Sequence, residues 1–166
     1  MAAKAGPIVG SLVFFVVAPG VVAGYVPYAL SGWRLAPPFL GVQAGRWAGA
    51  ALVLAGLATL VDCFARFALE GRGTPAPVAP TETLVVSGLY RHVRNPMYVA
   101  VVATILGQAL LFGSMPVLCY VAVVWGSFHL FVLAYEEPTL RRRYGDSYRL
   151  YQQHVGRWWP RLTRWE

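Results

Sequence analysis

The chain has 166 residues, of which 57% are apolar and only 13% are charged, and its formal net charge is +7 at pH 7. A soluble domain typically contains about 25% charged residues, so this composition excludes an ordinary soluble domain and predicts an integral membrane protein. Long apolar runs favour helices over a β-barrel, because a helix satisfies its own backbone hydrogen bonds in lipid.

Four apolar segments approach the roughly 20 residues needed to cross the hydrocarbon of a bilayer. They cover residues 7–30, 47–69, 96–112 and 116–135. The predicted fold class is therefore all-α, a polytopic membrane helix bundle with about four transmembrane helices and short C-terminal cytoplasmic helices. Because no internal repeat is evident, we expect a single domain over residues 1–166. Residues 1–70 would supply two spans, and residues 71–166 a loop, a hairpin and a tail.

The basic residues are distributed unevenly between the two faces of this predicted bundle. With four spans, one face carries only Arg34 and Arg46, and the other carries the remaining lysine and arginines. The positive-inside rule then predicts that both termini are cytoplasmic. A basic tail that adjoins four spans favours contact with anionic lipid headgroups, so membrane lipids are expected partners and nucleic acid is not.

Proline and glycine mark helix ends in the second half of the chain. The prolines within residues 71–80 predict an extended loop, because proline lacks an amide donor. Pro138 directly follows two glutamates and predicts that the fourth span bends or restarts there. Gly145 and Asp146 read as a helix stop and a new N-cap, which predicts two short helices over residues 138–144 and 147–155.

The polar residues of the predicted spans have structural interpretations. Asp62 and Arg66 are four residues apart, a spacing that favours a structural ion pair. Gln108 and His129 are each expected to hydrogen-bond between helices rather than to act as catalysts.

Three tyrosines recur at intervals of four and three residues on the predicted tail helices: Tyr144, Tyr148 and Tyr151. Such a face can lie at the membrane interface or close over the bundle, and anchoring at the interface is the favoured interpretation.

Histidines and cysteines do not form a recognisable metal site. His92 and His154 lack a spacing typical of zinc ligands, and Cys63 and Cys119 do not supply one. We predict no metal site and expect both cysteines to be buried apolar residues.

Glu136 and Glu137 are adjacent acids at the predicted exit of the fourth span. A hairpin that crosses the membrane twice would return them to the same face as Arg91 and Arg94. Such a cluster suits a ligand that carries both positive and negative groups. Composition alone equally favours a solvated helix end whose acids pair with Arg141 or with the loop arginines.

Three motifs follow one another in this half of the chain. Residues 88–100 read GLYRHVRNPMYVA, Glu136-Glu137 come next, and residues 140–151 read LRRRYGDSYRLY, with Val-Gly-Arg at 155–157. Their order resembles the integral membrane methyltransferases that include isoprenylcysteine carboxyl methyltransferase and the phospholipid methyltransferases. The corresponding family patterns are Gly-x-Tyr-x-x-x-Arg-His-Pro-x-Tyr-x-Gly, paired glutamates, Leu-x-x-x-(Phe/Tyr)-Gly-x-x-Tyr-x-x-Tyr and Val-Pro-Arg.

Three positions depart from these patterns. Asn95 replaces the histidine, Ala100 replaces the glycine and Gly156 replaces the proline. Asn95 can still donate and accept hydrogen bonds, so cofactor binding stays compatible with it, but a role that needs an imidazole proton is lost.

The resemblance implies an S-adenosylmethionine-dependent methyltransferase whose cofactor is held between the last two spans and the tail. It implies that Arg94 and Glu137 are the catalytic candidates. The cofactor-binding candidates carried over by position are Leu89, Tyr90, Arg94, Asn95, Tyr98, Glu136 and Glu137.

The acceptor implied by the resemblance is a lipophilic small molecule or lipidated group that partitions into the membrane, such as a prenylcysteine-like carboxylate. Two other functions compete with this one. The first is a membrane reductase related to sterol reductases that uses NADPH, although such proteins usually need more spans. The second is a non-catalytic membrane scaffold.

Overall fold

The computed structural model describes residues 17–69, 84, 86–163 and 165, and these residues form helices and turns without a β-strand. The predicted all-α class is confirmed. The predicted loop at 71–80 and the first part of the first predicted span lie outside the described residues. The helices are α1 Val17–Ser31, α2 Ala44–Leu69, α3 Pro96–Phe112, α4 Met115–Phe131 and α5 Glu137–His154.

Among the residues that the structure describes, two helices are long and apolar enough to cross a membrane. They are Ala44–Arg66, within α2, and the helical run Met115–His154, which includes α4 and α5. The helices Val17–Ser31 and Pro96–Phe112 are also apolar but shorter. The apolar helices support a membrane location, and the count of four spans stays a prediction.

The chain divides into two compact units. We call the described residues of Asp62–Pro96 and His129–Glu166 the site unit, and those of Phe15–Val61 and Met97–Phe128 the bundle unit. In the bundle unit, neutral side chains donate hydrogen bonds to buried backbone carbonyls, and in the site unit, arginines pair with a buried carboxylate.

In the bundle unit, α2 and α3 approach each other at two glycines. A Cβ atom added to Gly49 would lie 2.6 Å from the carbonyl oxygen of Gly107, and one added to Gly107 would lie 2.6 Å from that of Gly49. Small residues let helix backbones come close enough to gain dispersion contacts, which matter most where lipid removes the hydrophobic driving force. The close contact between these helices therefore requires glycine at both positions.

Two helical segments widen just before a proline. One π-helical turn covers Val21–Tyr25 and precedes Pro27, and the other covers Val132–Glu136 and precedes Pro138 at the same offset. Proline has no amide donor and its ring clashes with the carbonyl four residues earlier, and a wider turn relieves that clash. The helical run passes through Pro138 without a break, so the restart that the sequence offered as an alternative to a bend is not observed.

The turn in α1 leaves two carbonyls to be satisfied by side chains of the same unit. Tyr120 Oη donates to the carbonyl of Val22 at 3.2 Å, and Gln108 Nε2 donates to that of Ala23 at 2.6 Å. Trp33 Nε1 in turn donates to Gln108 Oε1 at 3.1 Å. Gln108 is thus the hydrogen-bonding residue that the sequence predicted.

In the site unit, α5 is broken at Gly145, whose φ of 53° and ψ of −127° are not helical. Glycine tolerates this positive φ because it has no Cβ atom. Arg141 Nε donates to Gln152 Oε1 at 2.8 Å and so joins the two halves across the break. The predicted division of the tail into two short helices is confirmed in position.

Candidate functional site

We call residues 88–95, which carry the first motif, the motif loop. It begins with a 3-10 turn at Gly88–Arg91, closed by hydrogen bonds from the amides of His92 and Val93 to the carbonyl of Leu89, each 3.0 Å. The residues that follow α5, which we call the C-terminal tail, run beside the residues around this turn. Its backbone bonds are Arg94 N to Gly156 O at 2.9 Å, Arg161 N to His92 O at 2.9 Å and Trp165 N to Arg91 O at 3.1 Å. The position of the loop is therefore fixed by backbone bonds to the tail.

Arg94 and Glu137 form a buried ion pair in the site unit. Arg94 Nη1 lies 3.0 Å from Glu137 Oε1, and the two side chains are only 9% and 4% exposed. The sequence predicted that these two residues lie on the same face, and the structure places them in direct contact. A charge is costly to bury without a partner, so each of these residues depends on the other.

Two further arginines surround the same carboxylate. Arg157 donates from Nε to Oε1 at 2.6 Å and from Nη2 to Oε2 at 3.0 Å, and Arg141 Nη2 lies 3.7 Å from Oε2. The hydrogen bonds to Glu137 raise the pKa of Arg157, whereas its partial burial acts in the opposite direction. Three guanidinium groups thus face one buried carboxylate. Composition had left open a solvated helix end whose acids pair with Arg141 or with the loop arginines; Glu137 does pair with Arg141 and Arg94, but it is buried rather than solvated.

Arg94 still has donor capacity. Its buried Nε and Nη1 atoms have no aligned hydrogen-bond acceptor among the residues that the structure describes. The hydroxyl of Tyr148 interacts with its guanidinium. A buried donor that lacks an acceptor costs about 1–3 kcal/mol, and an anionic oxygen is the strongest acceptor for a guanidinium. The cluster of arginines around Glu137 is therefore suited to a ligand that brings a carboxylate or a phosphate.

Two of the three periodic tyrosines are buried beside this cluster. Tyr148 and Tyr151 are 3% and 2% exposed and form a small core with Val155. Tyr151 Oη donates to the carbonyl of Tyr90 at 2.5 Å. The favoured interpretation of the tyrosine face as a membrane anchor is wrong for these two residues, because their rings and one hydroxyl are already used inside the site unit.

Tyr90 and Asn95 are also buried in the site unit. Burial raises the pKa of Tyr90 well above its ordinary value, and the adjacent Cys63 contributes further, so the hydroxyl stays protonated at physiological pH. Asn95 Nδ2 donates to the carbonyl of Arg157 at 3.1 Å. The amide that stands at the family's histidine position therefore binds the backbone of the tail.

The other candidates lie in different surroundings. Leu89 has a side chain at the surface, 37% exposed, and Glu136 is half-buried. Tyr98 belongs to the bundle unit, where its ring centroid is 4.7 Å from that of Phe128. Within the site unit the structure thus buries Tyr90, Asn95 and Glu137, and it leaves the side chain of Arg94 only 9% exposed.

Sequence reasoning missed the contribution of Arg157 and Tyr148. Arg157 follows Glu137 by 20 residues, with the break at Gly145 between them, so no helical period connects the two. The available signal was the Val-Gly-Arg element at 155–157, where the resemblance places an arginine without giving it a role.

Outside the cluster, Asp62 and Arg66 form the predicted structural ion pair, whereas His129, which was predicted to hydrogen-bond between helices, bonds to Trp158 in the tail. Arg66 Nε pairs with Asp62 Oδ2 at 2.9 Å, and Arg66 Nη1 also donates to Ser87 Oγ at 3.2 Å. His129 Nδ1 accepts a hydrogen bond of 3.1 Å from Trp158 Nε1. These contacts tie α2 to the loop and the end of α4 to the tail, all within the site unit.

A family model described as phospholipid methyltransferase matches residues 44–147, which is more than half of the chain. The chain belongs to the phospholipid methyltransferase family. This membership, together with the apolar helices, supports a membrane methyltransferase. No curated protein and no solved structure matches the chain. The family match includes Arg94 and Glu137 but ends before Arg157.

Proposed function

We propose that this protein is an S-adenosylmethionine-dependent methyltransferase that acts on a lipophilic acceptor taken from the membrane. The observation that carries the proposal is the buried pair of Arg94 and Glu137, which joins the two motifs of a chain that belongs to a methyltransferase family. Neither charged side chain lies at the protein surface. Arg94 also retains two buried donor atoms with no aligned acceptor in the described part of the chain.

The charged groups of the site fit the amino-acid end of this cofactor. Arg94 would bind its carboxylate through the donors that remain available. Arg157 takes two of the about four acceptor positions of Glu137 and Arg94 takes a third, which leaves at most one position for an ammonium group. When bound, S-adenosylmethionine supplies a methyl group already activated by its sulfonium. The remaining proposed cofactor contacts are Leu89, Tyr90, Asn95, Tyr98 and Glu136.

The protein would contribute mainly orientation and exclusion of water, since methyl transfer is an in-line displacement. The buried tyrosines beside Arg94 are suited to exclude water, because Tyr148 and Tyr151 are almost fully covered. A carboxylate or thiolate acceptor needs no general base, whereas an ammonium acceptor must first lose a proton. A prenylcysteine-like carboxylate therefore demands the least chemistry from these residues.

Titration calorimetry on the detergent-purified protein tests the cofactor. We expect S-adenosylhomocysteine to bind and NADPH not to bind. Arg94→Ala should weaken S-adenosylhomocysteine binding by about 1.5–3 kcal/mol, the value of a hydrogen bond to a charged group. Arg149→Ala is the matched control, because Arg149 is exposed and pairs only locally with Asp146. Binding of NADPH alone would replace this proposal by the reductase, and binding of neither would support a scaffold.

Methyl transfer in lipid nanodiscs tests the acceptor. Radiolabelled S-adenosylmethionine is offered with prenylcysteine acids, phosphatidylethanolamine, lipophilic thiols and small water-soluble analogues. We expect label only on acceptors that partition into the bilayer. Because a membrane-dissolved acceptor gains little from entering another apolar groove, the head group should decide specificity more than the chain length. Label found solely on the water-soluble compounds would refute entry from the membrane.

Cysteine labelling tests the proposed multi-pass topology with both termini in the cytoplasm. Leu40 and Leu162 are 98% and 102% exposed and suit a substitution by cysteine. The background is Cys119→Ser, because Cys119 is exposed and not buried as the sequence predicted. The uneven distribution of basic residues predicts that a membrane-impermeant reagent reaches Leu40→Cys from outside and Leu162→Cys only after permeabilisation. Labelling of both from the same side would contradict the four-span arrangement.

A further inference from the structure

We propose that Arg157 is a positioning residue of the cofactor site, and that it acts on Arg94 through the carboxylate of Glu137. This role rests on the proposed function. Arg157 lies outside both the residues matched by the family model and the cofactor residues inferred from the motifs.

The side chain of Arg157 fixes the orientation of the Glu137 carboxylate. Its Nε and Nη2 atoms bind Oε1 and Oε2 at 2.6 and 3.0 Å, the two-point geometry that only a guanidinium can provide. Arg94 approaches Oε1 at 3.0 Å but without hydrogen-bond alignment, and Arg141 is farther away at 3.7 Å. The plane of the carboxylate is therefore set by Arg157, and the position of Arg94 follows from it.

The backbone of Gly156 and Arg157 accepts hydrogen bonds from the motif loop. The carbonyl of Gly156 accepts from the amide of Arg94 at 2.9 Å, and the carbonyl of Arg157 accepts from Asn95 Nδ2 at 3.1 Å. Residues 156–157 thus contact the loop through the backbone and α5 through a side chain. A single substitution at Arg157 removes the second connection and leaves the first in place.

Arg157 is more exposed to solvent than the two residues that it orients. Its side chain is 29% exposed, whereas those of Arg94 and Glu137 are 9% and 4% exposed. Arg157 can therefore be replaced at the edge of the cluster without opening a large cavity. Loss of its fork would leave Glu137 able to rotate, so that Arg94 is no longer presented in one geometry.

A double-mutant cycle on the full-length protein in detergent tests this inference. The four proteins are the wild type, Arg157→Ala, Glu137→Gln and the double variant, with Arg157→Lys and Arg149→Ala alongside. Affinity for S-adenosylhomocysteine is measured by calorimetry, and KM for S-adenosylmethionine and kcat are measured with the best acceptor. Thermal unfolding midpoints are recorded for all six.

We expect Arg157→Ala to weaken S-adenosylhomocysteine binding about 10-fold, mainly as a rise in KM rather than a fall in kcat. The double variant should bind about as weakly as Glu137→Gln alone, because Arg157 acts through that residue. Arg157→Lys should recover part of the loss, since lysine restores the charge but not the fork. Arg149→Ala should bind like the wild type.

The inference would be overturned if Arg157→Ala bound S-adenosylhomocysteine like the wild type, or if the fold-losses in affinity of the two single variants multiplied in the double variant. If the alanine variant does not fold, wild-type affinity of Arg157→Lys would overturn it instead. Absence of binding by the folded wild-type protein would instead refute the proposed function. In that case the midpoints decide about Arg157. Non-additive midpoint shifts would support its coupling to Glu137, and additive shifts would overturn it.

Discussion

The two proline-linked wide turns show how differently the two units handle buried polarity. In the bundle unit, the turn at Val21–Tyr25 exposes carbonyls that neutral side chains satisfy one by one. In the site unit, the turn at Val132–Glu136 leads directly to Glu137, which is contacted by three arginines. The same backbone feature thus precedes a closed set of neutral hydrogen bonds in one unit and an unbalanced cluster of charges in the other.

This difference predicts different sensitivities. A neutral hydrogen bond can be lost at the cost of one unsatisfied group. A buried charge cluster loses much more when one member is removed, because the other charges remain buried without compensation. The site unit should therefore depend on single charged atoms, and the bundle unit on shape and close contact. Four substitutions test this, in order of expected effect.

The largest effect is expected for Glu137→Gln. The substitution removes the one negative charge that three arginines share and should lower the free energy of unfolding by about 3–5 kcal/mol. Thermal or denaturant unfolding in detergent measures it. The neighbouring Glu136→Gln is the control and should cost clearly less, because Glu136 is half-buried rather than buried. Equal costs for the two variants would remove the distinction between the charge cluster and an ordinary helix end.

The fold could be predicted from the sequence wherever a rule of local backbone chemistry decides the outcome. Apolar runs predicted the helices, and Gly145 predicted the break, since each depends on backbone chemistry within a few residues. Pro138 indicated an irregularity, which is a π-helical turn rather than a restart. The widening at Val21–Tyr25 was not predicted. Long apolar composition conceals such a turn, because its stability depends on Gln108 and Tyr120, which are remote in sequence.

The site could be predicted from the sequence only in part. The motif loop and the glutamate pair indicated that Arg94 and Glu137 would meet, because the intervening hairpin returns them to one place. The part played by Arg157 was not accessible, since a tail that folds back beside the loop leaves no periodic signal. For the same reason the burial of Tyr148 and Tyr151 could not be distinguished from membrane anchoring by spacing alone.

The next largest effect should come from Gly107→Ala in the bundle unit. Its new methyl group would meet a backbone carbonyl at 2.6 Å, so α2 and α3 must separate, at a cost of about 2–3 kcal/mol. Gly126→Ala is the matched control, because a Cβ atom there meets nothing within 4 Å. It should be neutral or slightly stabilising. If the two variants unfold at the same midpoint, close glycine contact does not stabilise this unit.

A smaller effect is expected for Gln108→Leu. The substitution puts an apolar side chain of similar size in place of the amide and leaves the carbonyl of Ala23 without its donor and Trp33 Nε1 without its acceptor. One unsatisfied buried carbonyl costs about 1–2 kcal/mol, well below the cost predicted for Glu137→Gln. Ser127→Ala is the control, since Ser127 is exposed and bonds only within its own helix. A cost for Gln108→Leu as large as that for Glu137→Gln would contradict the contrast between neutral and charged networks.

The smallest effect should come from Asp62→Asn, which separates burial from charge within the site unit itself. Asp62 and Arg66 form an ion pair of 2.9 Å, as good in distance as that of Arg94 and Glu137, but their side chains are 40% and 28% exposed. An ion pair of this kind at helical spacing contributes about 0.5 kcal/mol or less, because accessible charges retain other partners when the pair is broken. Arg66 also keeps its hydrogen bond to Ser87. Unfolding of Asp62→Asn and Glu137→Gln under the same conditions should therefore differ by several-fold in free energy. Comparable losses would mean that the charge pair itself, and not its burial among three arginines, makes the site unit sensitive.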